Sequence, residues 1–276
     1  MILRPLSRRY APDFWRETLI TISINPIAFT IGSIGVRWYG IMVALAVLVV
    51  VLWMLREVRR GANLSYDTIL TAALVGIPSG VIISRLLHVV DRFDFYSQNP
   101  GLILGFEGLT IYGAILGAAL GIWIYSRFSH FRFGYFADLV VPGLILAQAV
   151  GRVGCTLNGC CYGIETSLPW GVVYTQPESY APLGVAIHPT QLYEIVFLLV
   201  VFAVLLRLRG RFQPDGSLFL IYLSLYSLWR LGIDFLREGT PFLFGLHQAQ
   251  VIGVIVLAIT IPLLVLRTRW VEKEAR

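Results

Sequence analysis

The feature that most constrains this chain is a series of apolar runs, each long enough to cross a bilayer, set between short clusters of arginine. A membrane-crossing helix needs about 20 predominantly apolar residues. Hydrocarbon leaves a polypeptide backbone only two spanning forms, the helix and the closed barrel. Runs near residues 34–55, 66–90, 110–126, 135–155, 190–206, 216–236 and 248–266 meet the helical requirement. The short alternating strands of a membrane barrel are absent. Of 276 residues, 57% are hydrophobic and 14% charged, where a soluble domain is about one-quarter charged. The expected fold is all-α, a polytopic membrane protein of about seven transmembrane helices. It reads as a single domain over 1–276, with an N-terminal interfacial segment at 1–33 and a long loop at 155–190.

The net charge of +6 comes from 21 arginines and one lysine, Lys273. A nucleic-acid partner would call for basic residues gathered on one exposed face; here they punctuate the apolar runs, so no nucleic acid is expected. Basic loops mark the cytoplasmic side. Arg56, Arg59 and Arg60 follow the first run, Arg127 and Arg132 the third, and Arg207, Arg209 and Arg211 the fifth. Arg267, Arg269, Lys273 and Arg276 close the chain. Seven spans put all four clusters on one side, with the N-terminus outside, the C-terminus cytoplasmic and the 155–190 loop facing outward. Arg4, Arg8, Arg9 and Arg16 then lie against outer-leaflet head groups. No cleavable signal peptide is evident in "MILRPLSRRYAPDFWRET". The loop at 155–190 is far longer than a helix connection requires. Its Trp170, Tyr174 and prolines point to an ordered cap.

"LAQAVGRVGCTLNGCCYGIE", residues 146–165, carries an apolar run into an arginine, an asparagine and three cysteines. An arginine at a helix centre costs roughly 2.5–3.5 kcal/mol on insertion scales, so Arg152 has something to hold. Arg37, Arg85, Gln148, Gln191, Glu194, Arg230 and Asp234 are further polar residues within or at the edges of the runs. Arg37 and Arg85 lie near ends, where snorkelling to the interface competes with a binding role. Arg230 and Asp234, four apart, share a helix face and form a candidate ion pair. Two arginines entering one half of a bundle from different helices suit a phosphate, which guanidinium forks bind bidentately without deprotonating. In a membrane, that phosphate belongs to a phospholipid.

These residues fall in motifs. "GRVGCTLNGCCYG" resembles the "GRxGNFxNGExxG" signature of the prolipoprotein diacylglyceryl transferase family. "FTIGSIGVRWYGIM", "GLTIYGAILGA", "HPTQLYE" and "WRLGIDFLREGT" resemble other family segments in the family's order, over about residues 29–250. The resemblance implies a multi-pass protein of a bacterial cytoplasmic (inner) membrane with its active site toward the outer face. It also implies transfer of the diacylglyceryl group of phosphatidylglycerol to the lipobox cysteine in the signal-peptide region of a prolipoprotein, releasing glycerol phosphate. Arg152 and Arg230 are then expected to stabilise the phosphate leaving group. Tyr39, Asn158, Gly163, Tyr226, Asp234 and Arg85 are expected around the substrate, and His188 and Glu194 as bracing residues. Neither a cofactor nor a metal is implied.

The chain departs from the motif at three places. The family's histidine is Tyr112, its first asparagine Cys155 and its glutamate Cys160. A tyrosine with an ordinary pKa near ~10 is a weak base at neutral pH, so Tyr112 is a candidate catalytic residue that has replaced a stronger base. The alternative function is a related phospholipid-dependent transferase with another acceptor, or a non-catalytic phospholipid-binding homologue. Cys155, Cys160 and Cys161 do not have the paired spacing of a structural zinc site. Packing residues, a disulfide and a reactive thiol all remain open for them.

Overall fold

The computed structural model describes residues 19–32, 34–91, 93–103, 111–239 and 242–271, without the side chains of Ile34, Asp91, Ile111 and Tyr112. Arg4, Arg8, Arg9, Arg16, Lys273 and Arg276 fall outside the described residues, as does most of the N-terminal segment expected at 1–33.

The apolar runs become helices: α1 (Trp38–Arg59), α2 (Tyr66–Asp91), α4 (Ile111–Phe128), α5 (Phe133–Asn158), α6 (Thr190–Leu208), α7 (Ser217–Ile233) and α8 (Gln248–Arg267). A short α3 (Phe93–Gln98) and a 3-10 turn (Pro100–Leu102) follow α2. Among the described residues six helices are long and apolar enough to cross a membrane, and the remaining apolar helix, at Gly113–Phe128, is shorter. The chain is thus a mostly helical, multi-pass membrane protein. The helix ends follow local chemistry. Ser65 Oγ accepts the Thr68 backbone N–H at 3.0 Å and caps the start of α2. His247 and Gln250 form a reciprocal capping box at the start of α8.

Strands occupy the connections. β2 (Ile27–Ile31) and β3 (Ile34–Arg37) form an antiparallel hairpin directly before α1. The first apolar run, expected helical from residue 34, therefore begins extended. Its "IAFTI" and "IGVR" are rich in β-branched residues, which suit a pleated surface. β1 (Ile20–Ile22), β4 (Val172–Tyr174) and β5 (Ala186–Ile187) make a three-stranded sheet in the order β1–β4–β5. β6 (Phe212–Gln213) pairs with β7 (Arg269–Trp270). The sheet orders the 155–190 loop around buried Val172, Tyr174, Ala181 and Ile187.

The helices fall into two compact units, Val51–Val140 and the remainder of the chain. In the first, α2 and α4 pack backbone to backbone through glycines. A Cβ on Gly117 would strike the Ser79 carbonyl oxygen and the Ile83 side chain, and one on Gly80 would lie 2.9 Å from the Ala114 carbonyl oxygen. Lipid tails supply no hydrophobic drive to this pair, so close van der Waals contact carries it. Gly117→Ala is therefore expected to lower the thermal midpoint in detergent through an overpacking cost of about 1–3 kcal/mol. An unchanged midpoint would refute that packing. In the second unit, Val141, Ile145 and Ala149 of α5 pack with Leu198, Val201 and Leu205 of α6 and with Leu218 and Tyr222 of α7. That core fixes the helix ends that carry the polar residues.

Candidate functional site

The C-terminal end of α5 sets the geometry. Gly159, at φ +70°, takes the left-handed position after the helix, and the Cys160 N–H returns to the Cys155 carbonyl at 3.1 Å. This is the glycine-terminated helix end that closes orphan carbonyls. A side chain at Gly159 would collide with Ser179 Oγ, so both the left-handed φ and the close contact call for glycine here. Arg152 lies less than two turns before that stop. Gly154 makes room for α1, since a Cβ there would come within 2.8 Å of Met42 Cβ and 3.4 Å of Tyr39 Cα. Tyr39, partly exposed on the first turn of α1, thus stands beside the last turns of α5.

Two helices meet Arg152. Its Nη2 lies 2.9 Å from Glu194 Oε1, on the first turns of α6. Tyr226, on α7, donates its hydroxyl to the same oxygen at 2.9 Å. Further along, Arg230 Nη2 contacts Asp234 Oδ1 at 2.7 Å and donates to Oδ2 at 3.0 Å. Arg237 completes the cluster, its Nη1 4.0 Å from Glu194 Oε2 and its Nε 4.0 Å from Asp234 Oδ1. Both carboxylates are 2% exposed, whereas the arginine side chains retain 17%, 14% and 13% for Arg152, Arg230 and Arg237. Three guanidinium groups face two carboxylates, leaving one positive charge in excess. The acids lie beneath the bases, and the open side of the cluster is cationic. Asp234, expected among the substrate contacts, is in this structure paired with Arg230 and Arg237.

Around this cluster the loop is pinned by backbone pairing. The Gly163 N–H donates to the His188 carbonyl at 3.0 Å, and Ile164 N–H donates to the Leu236 carbonyl at 2.9 Å. A Cβ on Gly163 would meet His188 Cβ at 2.5 Å and the Leu236 oxygen at 2.6 Å. Gly163, expected around the substrate, is in this structure a close-approach point of the backbone, bridged to Arg237. Asn158 is buried, and its Oδ1 accepts from Arg37 Nη1 at 2.9 Å. Arg37 also covers the Tyr180 ring at 4.5 Å, so it is tied to the 155–190 loop. His188, whose pKa burial lowers, lies with Nδ1 3.4 Å from the Tyr193 hydroxyl, which accepts the Trp170 indole N–H at 2.8 Å.

The three cysteines are free thiols, so no disulfide links them in this structure. Their sulfurs lie within 4.8 Å of one another. The neighbouring Cys155 and Cys160 thiols, then the Arg237 and Arg152 charges, push the Cys161 thiol below its usual range.

Tyr112 and Arg85 belong to the Val51–Val140 unit. Tyr112 is on the first turn of α4, and its side chain is outside the described residues. Arg85 donates to the Leu102 and Ile103 carbonyls and lies 5.1 Å over the Tyr96 ring. Sequence reasoning missed Arg237 as a member of the cluster. The signal was present, since Arg230, Asp234 and Arg237 recur at i, i+4 and i+7, one face over two helical turns.

Comparison with known proteins agrees with these motifs. The model of a family described as prolipoprotein diacylglyceryl transferase matches residues 26–266. A Dehalococcoides mccartyi protein named phosphatidylglycerol–prolipoprotein diacylglyceryl transferase is 54% identical over 257 residues, covering 93% of this chain and 98% of its own. Proteins of the same name from Clostridioides difficile and Acaryochloris marina are each 36% identical, covering 84% and 90% of this chain and 91% of their own. On the match across its helices and its arginine-bearing motifs alike, the chain belongs to the prolipoprotein diacylglyceryl transferase family.

Proposed function

We propose that this protein transfers the diacylglyceryl group of phosphatidylglycerol to the lipobox cysteine of a prolipoprotein, at the outer face of a bacterial cytoplasmic membrane. The observation that carries the reading is the partly open cluster of Arg152, Arg230 and Arg237 on buried Glu194 and Asp234. In the reaction a carbon–sulfur bond forms at the glyceryl carbon, the carbon–oxygen bond to phosphate breaks, and glycerol phosphate departs with the electron pair. Fixed positive charge aimed at that phosphate lowers the barrier, because the leaving oxygen gains charge in the transition state. The buried acids hold the guanidinium groups in place before the charge develops. Tyr226 orients Glu194 from α7, and Tyr39 and Asn158 border the same helix end.

An apolar surface beside the cluster supports the lipid reading. An open apolar groove of about 440 Å³ is lined by Phe197 of α6, by Leu225, Leu228, Trp229 and Ile233 along α7, and by Leu236 just beyond it. Its α7 residues alternate along the helix with Arg230 and Asp234, so one helix presents an apolar face and a charged one. The family resemblance assigns the thiol proton to the position of Tyr112. The crossing number in this reading is seven, with Gly113–Phe128 as the short one, the N-terminus outside and the C-terminus cytoplasmic.

Incubation of the purified protein with phosphatidylglycerol and a lipobox peptide tests the function. The expected result is a peptide heavier by one diacylglyceryl group on the cysteine thiol. Lipid turnover that no lipobox peptide accelerates would point to another acceptor. Lipid binding with neither peptide modified nor glycerol phosphate released would mark a pocket without chemistry.

A further inference from the structure

Cys155, Cys160 and Cys161 have no part in the leaving-group chemistry, yet their three sulfurs converge where α5 ends, within 4.8 Å of one another. We propose that they form a trigonal, all-thiolate site for a soft monovalent cation, Cu(I). Sulfur-only ligand sets select soft ions. Metal–thiolate bonds of about 2.3 Å, the length zinc makes, place three sulfurs about 4 Å apart in a trigonal plane. The largest separation here, at most 4.8 Å, exceeds that spacing by less than one ångström. No histidine or carboxylate joins the group among the described residues. A structural zinc site wants four ligands, and iron–sulfur clusters are held by four as well, so both fit less well.

The backbone holds the three residues in place from two directions. Cys155 is on the last turn of α5, and the helix-end hydrogen bond ties Cys160 back to its carbonyl. Cys161 has φ +62°, a left-handed conformation uncommon for a residue with a side chain. It is kept there by the first turn of α6. Thr190 Oγ1 donates to the Cys161 carbonyl and Gln191 Nε2 to the Cys160 carbonyl, both at 2.8 Å, and both residues are buried. The three thiols grade from buried Cys155 through half-buried Cys160 to exposed Cys161, which gives an ion a way in from the loop side.

Charge also favours the site. Cu(I) bound by thiolates forms an anionic centre, and Arg152 Nη1 already points a hydrogen-bond donor at Cys155 Sγ, 3.8 Å away. With three thiolates that centre carries a net charge of −2, and the single surplus positive charge of the arginine cluster, Arg152 included, offsets half of it. Binding makes three copper–sulfur bonds and releases the displaced thiol protons to solvent. The ion enters and stays as Cu(I), so no oxidant or reductant is needed. The inference stands apart from the transfer reading, since it asks nothing of the lipid.

The test is an anaerobic titration of the reduced, full-length protein in detergent with Cu(I), in competition with the chromophoric chelator bicinchoninate. One equivalent of Cu(I) is expected to be withdrawn from the chelator, and copper-edge X-ray absorption is expected to show three sulfur neighbours. Cys160→Ser and Cys161→Ser, both in the loop and beyond the helix core, are each expected to lose that equivalent while keeping the wild-type circular dichroism. Retention of the full equivalent by Cys161→Ser would overturn the trigonal site. So would wild-type uptake no greater than that of a variant with serine at all three positions, or displacement of the copper by an equal amount of Zn(II).

Discussion

Arg152→Ala is expected to slow diacylglyceryl transfer by about 10²–10³-fold, the loss typical of removing one preorganised donor from a developing anion. The effect should fall mainly on kcat, because the charge on the departing phosphate exists only as the bond breaks. Arg152→Lys keeps a positive charge but not the planar fork, so it should recover only part of the loss. The comparison uses the peptide-modification assay under saturating lipid. Transfer by Arg152→Ala at the wild-type rate would remove Arg152 from the leaving-group role.

The second large effect is expected at Glu194. Its carboxylate is 2% exposed, accepts Arg152 and Tyr226 at 2.9 Å each, and lies 4.0 Å from Arg237. Glu194→Gln keeps the shape but removes the charge that neutralises two largely buried guanidinium groups. Breaking one side of a buried pair typically costs about 3–5 kcal/mol. A marked fall in thermal midpoint in detergent is the expected result, with loss of transfer as Arg152 leaves its position. Glu194→Asp retains the charge on a shorter stem and should fall between the two. A Glu194→Gln protein as stable as wild type would show that the arginines find other partners, and the bracing argument would fail.

The helices were legible because hydropathy at bilayer length is a strong signal, and each of the seven runs became a helix within a few residues of its expected bounds. The hairpin before α1 was not, since a run rich in isoleucine and valine satisfies a strand and a buried helix alike. Arg152, Arg230 and their neighbours were legible because a charge inside an apolar run needs a reason. What they touch was not. Glu194 sits 42 residues beyond Arg152 in the chain, and only the packing of α5 against α6 and α7 brings them together. Gly163 was expected around the substrate; that three backbone segments cross at it was not legible in the sequence. The convergence of the three cysteine sulfurs was not legible either, because sequence distance did not reveal that α6 ties down the backbone of Cys160 and Cys161.

The central claim is that the arginine cluster on Glu194 and Asp234 holds the phosphate that leaves. Equilibrium binding of glycerol phosphate to the purified protein in detergent tests it most directly. Wild type should bind, Arg152→Ala and Arg230→Ala should each bind at least about tenfold more weakly, as losing one charge-assisted contact of about 1.5–3 kcal/mol requires, and Gly117→Ala should bind like wild type when folded. Equal binding by the wild type and both arginine variants would contradict the account.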